Sequence, residues 1–127
     1  MKKILIAEDE ESLLRLETIL LSSKGYSVTA VTDGRSALDS IAADPPDIII
    51  LDLMLPDIDG MEICRLVREN PRTSTIPVIM LTAKKSSRDV EAGLRCGADA
   101  YITKPFKTAA VIEWIQKLVG THDGKPA

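Results

Sequence analysis

The sequence has few of the residues on which specialised sites are most often built. Aromatic residues make up 3% of its 127 positions, so the core must be aliphatic, assembled from Leu, Ile, Val, Ala and Met. A single histidine, His122, lies in the C-terminal tail, which argues against histidine-based triads and histidine-rich zinc sites. The two cysteines, Cys64 and Cys96, have neither metal-ligand spacing nor the density of a disulfide framework, and read as reduced thiols of a cytoplasmic protein. Basic residues are not in excess: 16 Lys and Arg stand against 19 Asp and Glu, a net charge of -3. DNA binding by this chain alone and attraction to an anionic membrane are therefore not expected. No apolar stretch approaches the roughly 20 residues of a membrane span. The run Ile4 to Ala7, after Met1-Lys2-Lys3, stops at the acidic pair Glu8-Asp9 and is too short for the core of a signal peptide.

What is present suits one globular domain: 45% hydrophobic and 28% charged residues. The reading is a domain over residues 1–120 with a loose tail over 121–127. Short apolar runs at Ile4 to Ala7, Tyr26 to Val31, Ile48 to Leu51, Val78 to Leu81 and Ala100 to Thr103 read as strands. Three of them show little polar alternation, as strands covered on both faces do. Amphipathic stretches separate them. The first aligns Leu13, Leu16 and Leu20 on one stripe and stops at Gly25; the second opens at Asp33 as N-cap and presents Ala37, Leu38 and Ile41. The third runs from Asp59-Gly60 to about Asn70, ahead of Pro71. The fourth starts near Ser86 or Ser87, carries Val90 and Leu94 and stops at Gly97; the fifth starts near Thr108, with Val111, Ile112, Ile115, Leu118 and Val119 inward. Five such β-α units imply an α/β fold, a doubly wound parallel sheet.

In such a sheet ligands bind beyond the carboxyl ends of the strands. The first strand ends in Glu8-Asp9-Glu10, the third in Asp52, the fourth in Thr82-Ala83 and the fifth in Thr103-Lys104-Pro105. With the first and third strands adjacent, Glu8, Asp9 and Asp52 converge. Converging carboxylates call for a counter-charge, and a hard cation such as Mg²⁺, which also accepts phosphate oxygens, answers that need. Lys104 adds positive charge and Thr82 a hydroxyl, so the set suits phosphoryl transfer. Asp52, closing the most apolar strand, is the candidate nucleophile; Glu8 and Asp9 organise the metal. Glu10 and Glu11 fit the plainer role of acidic residues at a helix start.

The segments Ile-Ala-Glu-Asp-Glu (6–10), Leu-Asp-Leu-Met-Leu-Pro-Asp-Ile-Asp-Gly (51–60), Pro-Val-Ile-Met-Leu-Thr-Ala (77–83) and Gly-Ala-Asp-Ala-Tyr-Ile-Thr-Lys-Pro-Phe (97–106) together resemble a response-regulator receiver domain over residues 3–119. The resemblance implies a flavodoxin-like sheet of order 2-1-3-4-5. It implies that Asp52 takes a phosphoryl group from a histidine kinase or histidine phosphotransfer protein. It implies Mg²⁺ on Asp9, Asp52 and the main-chain carbonyl of Met54, with Glu8 in the outer shell. Thr82 and Lys104 would bind phosphoryl oxygens, Tyr101 would be the aromatic switch, and the Lys104-Pro105 bond would be cis.

On this reading the chain is a signalling module of a two-component phosphorelay, not a turnover enzyme; it phosphorylates itself and slowly dephosphorylates. Its output is a phosphorylation-dependent contact with a downstream protein, through the face formed by the fourth helix, fifth strand and fifth helix. Family members with winged-helix DNA-binding domains carry a second Asp before the switch Tyr and arginines on the last helix. Here Ala100, Glu113 and Lys117 stand there, which weighs against their mode of dimerisation. The chain reads as a stand-alone receiver or one cut from a longer protein. The alternative is a Mg²⁺-dependent phosphatase with an aspartyl nucleophile, but Met54 stands where a second acid is usual, and the chain is short for a substrate pocket. A flavin-binding protein is disfavoured by the acidic strand ends and the lack of a phosphate-cradling glycine loop.

Overall fold

Strands β1 (Lys3–Ala7), β2 (Ser27–Val31), β3 (Ile48–Asp52), β4 (Val78–Thr82) and β5 (Ala100–Thr103) pair in parallel in the order β2-β1-β3-β4-β5. The computed structural model describes residues 2–82, 97–103 and 107–119. Within these, helices α1 (Glu11–Ser23), α2 (Gly34–Ala43), α3 (Gly60–Glu69) and α4 (Thr108–Val119) connect or follow the strands. The helix expected from Ser86 or Ser87, with Val90 and Leu94, lies outside the described residues, as do Cys96, Lys104, Pro105, Phe106, His122 and the 121–127 tail. Each expected strand is present, although β2 begins at Ser27, with Tyr26 buried just before it.

Alternate residues of the central strands feed two cores, because successive side chains point to opposite faces. Ile4, Ile6, Ile48, Ile50, Ile79 and Leu81 pack with Leu14 and Leu21 of α1 and Val111 and Ile115 of α4. Leu5, Ala7, Ile49, Leu51, Val78 and Met80 pack with Ala37 and Ile41 of α2 and Ile63, Cys64 and Val67 of α3. Every residue of β3 is buried, whereas the edge strand β2 is largely exposed. The near-continuous apolar runs thus mark strands covered on both faces.

The helix boundaries follow local chemistry. Asp33 caps α2 by accepting from Ser36 N at 2.7 Å, and Asp59 caps α3 by accepting from Met61 N at 2.8 Å. The chain leaves α1 through Gly25 at φ 94°, with Gly25 N donating to Ser22 O and Tyr26 N to Leu21 O, the paired bonds of a Schellman motif. Gly97, the expected stop of the fourth helix, likewise takes a positive φ of 106°.

One expectation is corrected. The inward stripe of α1 is Leu14, Glu17 and Leu21, not Leu13, Leu16 and Leu20; Leu16 is 52% exposed. The doublets Leu13-Leu14 and Leu20-Leu21 permit two stripes one residue apart. The all-leucine one is the stronger pattern on paper, because the true one includes a carboxylate. On α4, Val111 and Ile115 are buried, while Ile112, Trp114, Leu118 and Val119 pack partly against the same core. Trp114 carries Lys117 Nζ 4.9 Å from its ring centroid.

Candidate phosphoacceptor site

The parallel register brings the acidic strand ends together. Ala7 pairs with Leu51 across β1 and β3, so Glu8 and Asp9 follow one strand where Asp52 closes the other. Glu8 extends the ladder to β2, its N–H donating to Val31 O at 3.1 Å, while Leu53 N donates to Leu81 O at 3.1 Å beyond the β3–β4 pairing. The backbone therefore stays ordered one residue past each strand, which aims the carboxylates. Glu8, Asp9 and Asp52 each place a carboxylate oxygen within 4.8 Å of the others. Glu8 and Asp52 are buried, and Asp9 is exposed.

Two main-chain amides orient this cluster. Met54 N donates to Asp52 Oδ1 at 2.9 Å, and Glu10 N donates to Glu8 Oε2 at 3.2 Å. Glu10 is the N-cap residue of α1 without a side-chain cap bond, and Glu11 lies in the first turn, which matches their reading as helix-start acids. An all-oxygen set of three clustered carboxylates, one open to solvent, fits a hard divalent cation that keeps part of its hydration shell.

The loop after β3 holds Met54 beside Asp52. Leu53 and Leu55 are buried, whereas Met54 is 58% exposed between them. Gly60 closes the loop: its N–H donates to Leu53 O at 2.8 Å, and a Cβ there would stand 2.6 Å from Asp52 O and 2.8 Å from Leu53 Cα. Only a glycine admits that approach of backbone to backbone.

Thr82 closes β4, pairs with Thr103 of β5, and directly follows Leu81, the partner of Asp52. Its backbone thus lies at the same edge of the sheet; its side chain is outside the described residues, as are Lys104 and Pro105. Tyr101 pairs with Met80 and is half-buried against the core beneath α2 and α3. A groove of about 380 Å³ lies elsewhere, lined by Leu38, Ile41, Leu66, Val67, Asn70 and Thr73 at the other ends of α2 and α3.

Sequence reasoning missed Asp57. Its Oδ1 accepts from Gly34 N at 2.7 Å and Ile58 N at 2.9 Å, and its Oδ2 accepts from Arg35 N at 3.0 Å. These amides hold its carboxyl below the usual carboxylate range, those of Gly34 and Arg35 contributing most. The one available signal was an Asp in a tight loop; its partners lie 23 and 22 positions away in sequence, where no local pattern reaches.

The chain matches the family model described as response regulator receiver domain over residues 4–116. It is 44% identical over 116 residues to the transcriptional regulatory protein CseB of Streptomyces coelicolor, covering 91% of this chain and 48% of that protein. The chain spans about half the length of the curated relatives it matches. Among solved structures, a putative response regulator from Chloroflexus aurantiacus superposes with a TM-score of 0.87 at 33% identity, covering 92% of this chain and 96% of that one. The Mn²⁺-bound form of response regulator Rcp1 superposes with a TM-score of 0.80 at 27% identity, covering 92% and 93%. Neither the geometry nor these relatives favour the phosphatase alternative. The fold order, the acidic strand ends and the match along most of the sequence agree: this chain belongs to the response regulator receiver domain family, the signalling modules of two-component systems.

Proposed function

We propose that Asp52 is the phosphoacceptor of this receiver, taking a phosphoryl group from a phosphohistidine on a histidine kinase or a histidine phosphotransfer protein. The observation that carries this is the convergence of Glu8, Asp9 and Asp52 within 4.8 Å at the ends of β1 and β3. A carboxylate oxygen of Asp52 attacks phosphorus; the O–P bond forms as the P–N bond to the donor imidazole breaks, and the imidazole departs with the nitrogen's electron pair. The Met54 N–H bond to Oδ1 orients the carboxylate for this. Asp9, Asp52 and the main-chain carbonyl of Met54 would hold Mg²⁺, with Glu8 in its outer shell; the ion when bound neutralises charge on the phosphoryl oxygens. The Mn²⁺-bound form of a structural neighbour supports a divalent cation here.

In this reading Thr82 and Lys104 bind the phosphoryl oxygens, and the state that pairs them best with the new charge gains population. Tyr101 turns inward as Thr82 moves, which alters the face of the fourth predicted helix, β5 and α4 toward a downstream protein. The reaction is self-phosphorylation followed by slow hydrolysis, in a cytoplasmic chain. Among the described residues no helix is long and apolar enough to cross a membrane. In this reading the chain makes no direct nucleic-acid contact, and it spans about half the length of its curated relatives. The domain runs over residues 1–120, with 121–127 as a tail.

The test is incubation with Mg²⁺ and a small phosphodonor such as acetyl phosphate, followed by intact-mass measurement. One phosphoryl group is expected on the wild type and none on Asp52→Asn; equal labelling of the two would remove Asp52 from this role.

A further inference from the structure

The N-terminal amides of α2 are capped by two carboxylates, only one of them local. An α-helix leaves its first amides without intrahelical partners. Here Asp33, the residue before the helix, takes Ser36 N, and Ala37 N donates to Asp33 O at 3.2 Å. The first two amides, Gly34 and Arg35, are taken by Asp57 from the loop between β3 and α3. The same loop carries Met54, whose N–H holds the Asp52 carboxylate. Leu53 and Gly60 tie the two ends of the loop to each other. Asp57 is a polar tie from its middle to another element.

The fit is close on both sides. A Cβ on Gly34 would stand 2.8 Å from Ile58 Cβ, 3.1 Å from Asp57 Oδ1 and 3.1 Å from Ile63 Cδ1. The start of α2 therefore lies directly against the loop, and the absent side chain at Gly34 lets the carboxylate reach both amides. Ile58 packs on the core beneath α2 and α3, which seats the loop from below.

We propose that Asp57 is a positioning residue for the metal-holding loop: by capping α2 from outside that helix, it fixes the segment carrying Met54 and so sets how readily the acidic cluster holds Mg²⁺. This rests on the reading of Asp52 as a Mg²⁺-assisted phosphoacceptor. The Asp57 carboxylate bonds the amides of Gly34, Arg35 and Ile58 and is not one of the clustered carboxylates; it acts through the loop backbone. Groups hydrogen-bonded directly to metal ligands typically change metal affinity by about 10–100-fold when removed, and Asp57 acts one step further out. The buried Leu53 and Leu55 still anchor the loop, which places Asp57 at the low end of that range.

The experiment measures initial labelling by acetyl phosphate against Mg²⁺ concentration, with the metal-free thermal midpoint of each variant recorded alongside. Asp57→Ala is expected to raise the Mg²⁺ half-saturation about tenfold, with the rate at saturating Mg²⁺ nearly unchanged. Gly34→Ala, which pushes the same loop from the helix side, should shift half-saturation in the same direction. Asp57→Asn should fall between, since its amide oxygen still accepts but its NH₂ cannot. Asp33→Ala removes the local cap of the same helix; it should lower the thermal midpoint and leave the half-saturation at the wild-type value. Wild-type half-saturation in both Asp57→Ala and Gly34→Ala overturns the proposal. So does a shift in Asp33→Ala proportionate to its loss of stability, because the role would then be structural only. If Asp57→Ala does not fold, Asp57→Asn and Gly34→Ala decide the matter by the same criteria. Failure of the underlying reading is distinct: the wild type would take no label, or Asp52→Asn would take as much, and the proposal would fall with it.

Discussion

Arg68 Nη2 lies 2.9 Å from Asp99 Oδ2, and that same oxygen accepts the N–H of Val78 at 2.8 Å. The guanidinium also donates to the carbonyls of Gly97, Ser74 and Ile76, so one side chain ties the end of α3 to the entries of β4 and β5. Arg68→Met would take the guanidinium away from those carbonyls and leave the Asp99 carboxylate with the Val78 N–H. The expected loss is about 2–3 kcal/mol of stability, read by urea denaturation, with Asp99→Asn costing about 1 kcal/mol. Gly97→Ala should also destabilise, by about 1–2 kcal/mol, because its φ is 106° and a Cβ would meet Arg68 Cγ at 2.9 Å. Additive losses in the Arg68–Asp99 double variant would mean that the pair is not coupled.

The position of the α1 stripe can be tested by truncation. Leu14 and Leu21 are buried, so replacement by Ala should cost about 2–5 kcal/mol each. Leu16 and Ile19 are 52% and 60% exposed, and their Ala variants should stay within about 0.5 kcal/mol of wild type. The reverse ranking would restore the all-leucine stripe.

Mg²⁺ should stabilise the fold by binding the native acidic cluster, by about 2.7 kcal/mol at a hundred times its dissociation constant. Asp9→Asn removes one of three clustered carboxylates. It should lose most of that metal-dependent gain while becoming slightly more stable without metal, by about 1 kcal/mol or less. Thermal midpoints with Mg²⁺ and with a chelator check both signs; an undiminished Mg²⁺ effect in the variant would move the metal elsewhere.

Acid should weaken the Asp57 tie. Its carboxyl sits below the usual range because backbone amides of Gly34 and Arg35 bind the charged form. The folded state thus releases this proton more readily than the unfolded chain. The stabilisation is complete above the unfolded carboxylate value and is lost as pH falls through it toward the lowered folded value. The stability difference between wild type and Asp57→Asn should be flat from pH 7 to about 5 and shrink below about pH 4. Glu62, lowered by its hydrogen bonds with Arg65, loses its contribution in the same direction. A difference that persists unchanged into acid would separate Asp57 stability from its charge.

Much of the fold is legible in the sequence. The apolar runs at Ile4, Ile48 and Val78 marked buried strands because sequence records burial on both faces directly. Asp33, Asp59 and Gly25 marked helix ends because capping is a local exchange between a side chain or a turn and amides a few residues away. Glu8, Asp9 and Asp52 could be placed at one edge once parallel β-α units were recognised, since that topology puts all strand ends together. Tertiary packing decided the rest. Which of two leucine stripes faces inward on α1 depended on the sheet beneath it, and burial of Glu17 could not be read from hydropathy. The Asp57 clamp on Gly34 and Arg35 joins segments whose spacing carries no period, so nothing local announces it. Sequence alone determined the elements and the acidic edge, because those follow from short-range patterning; the partner of each loop carboxylate was set only when the chain closed in three dimensions.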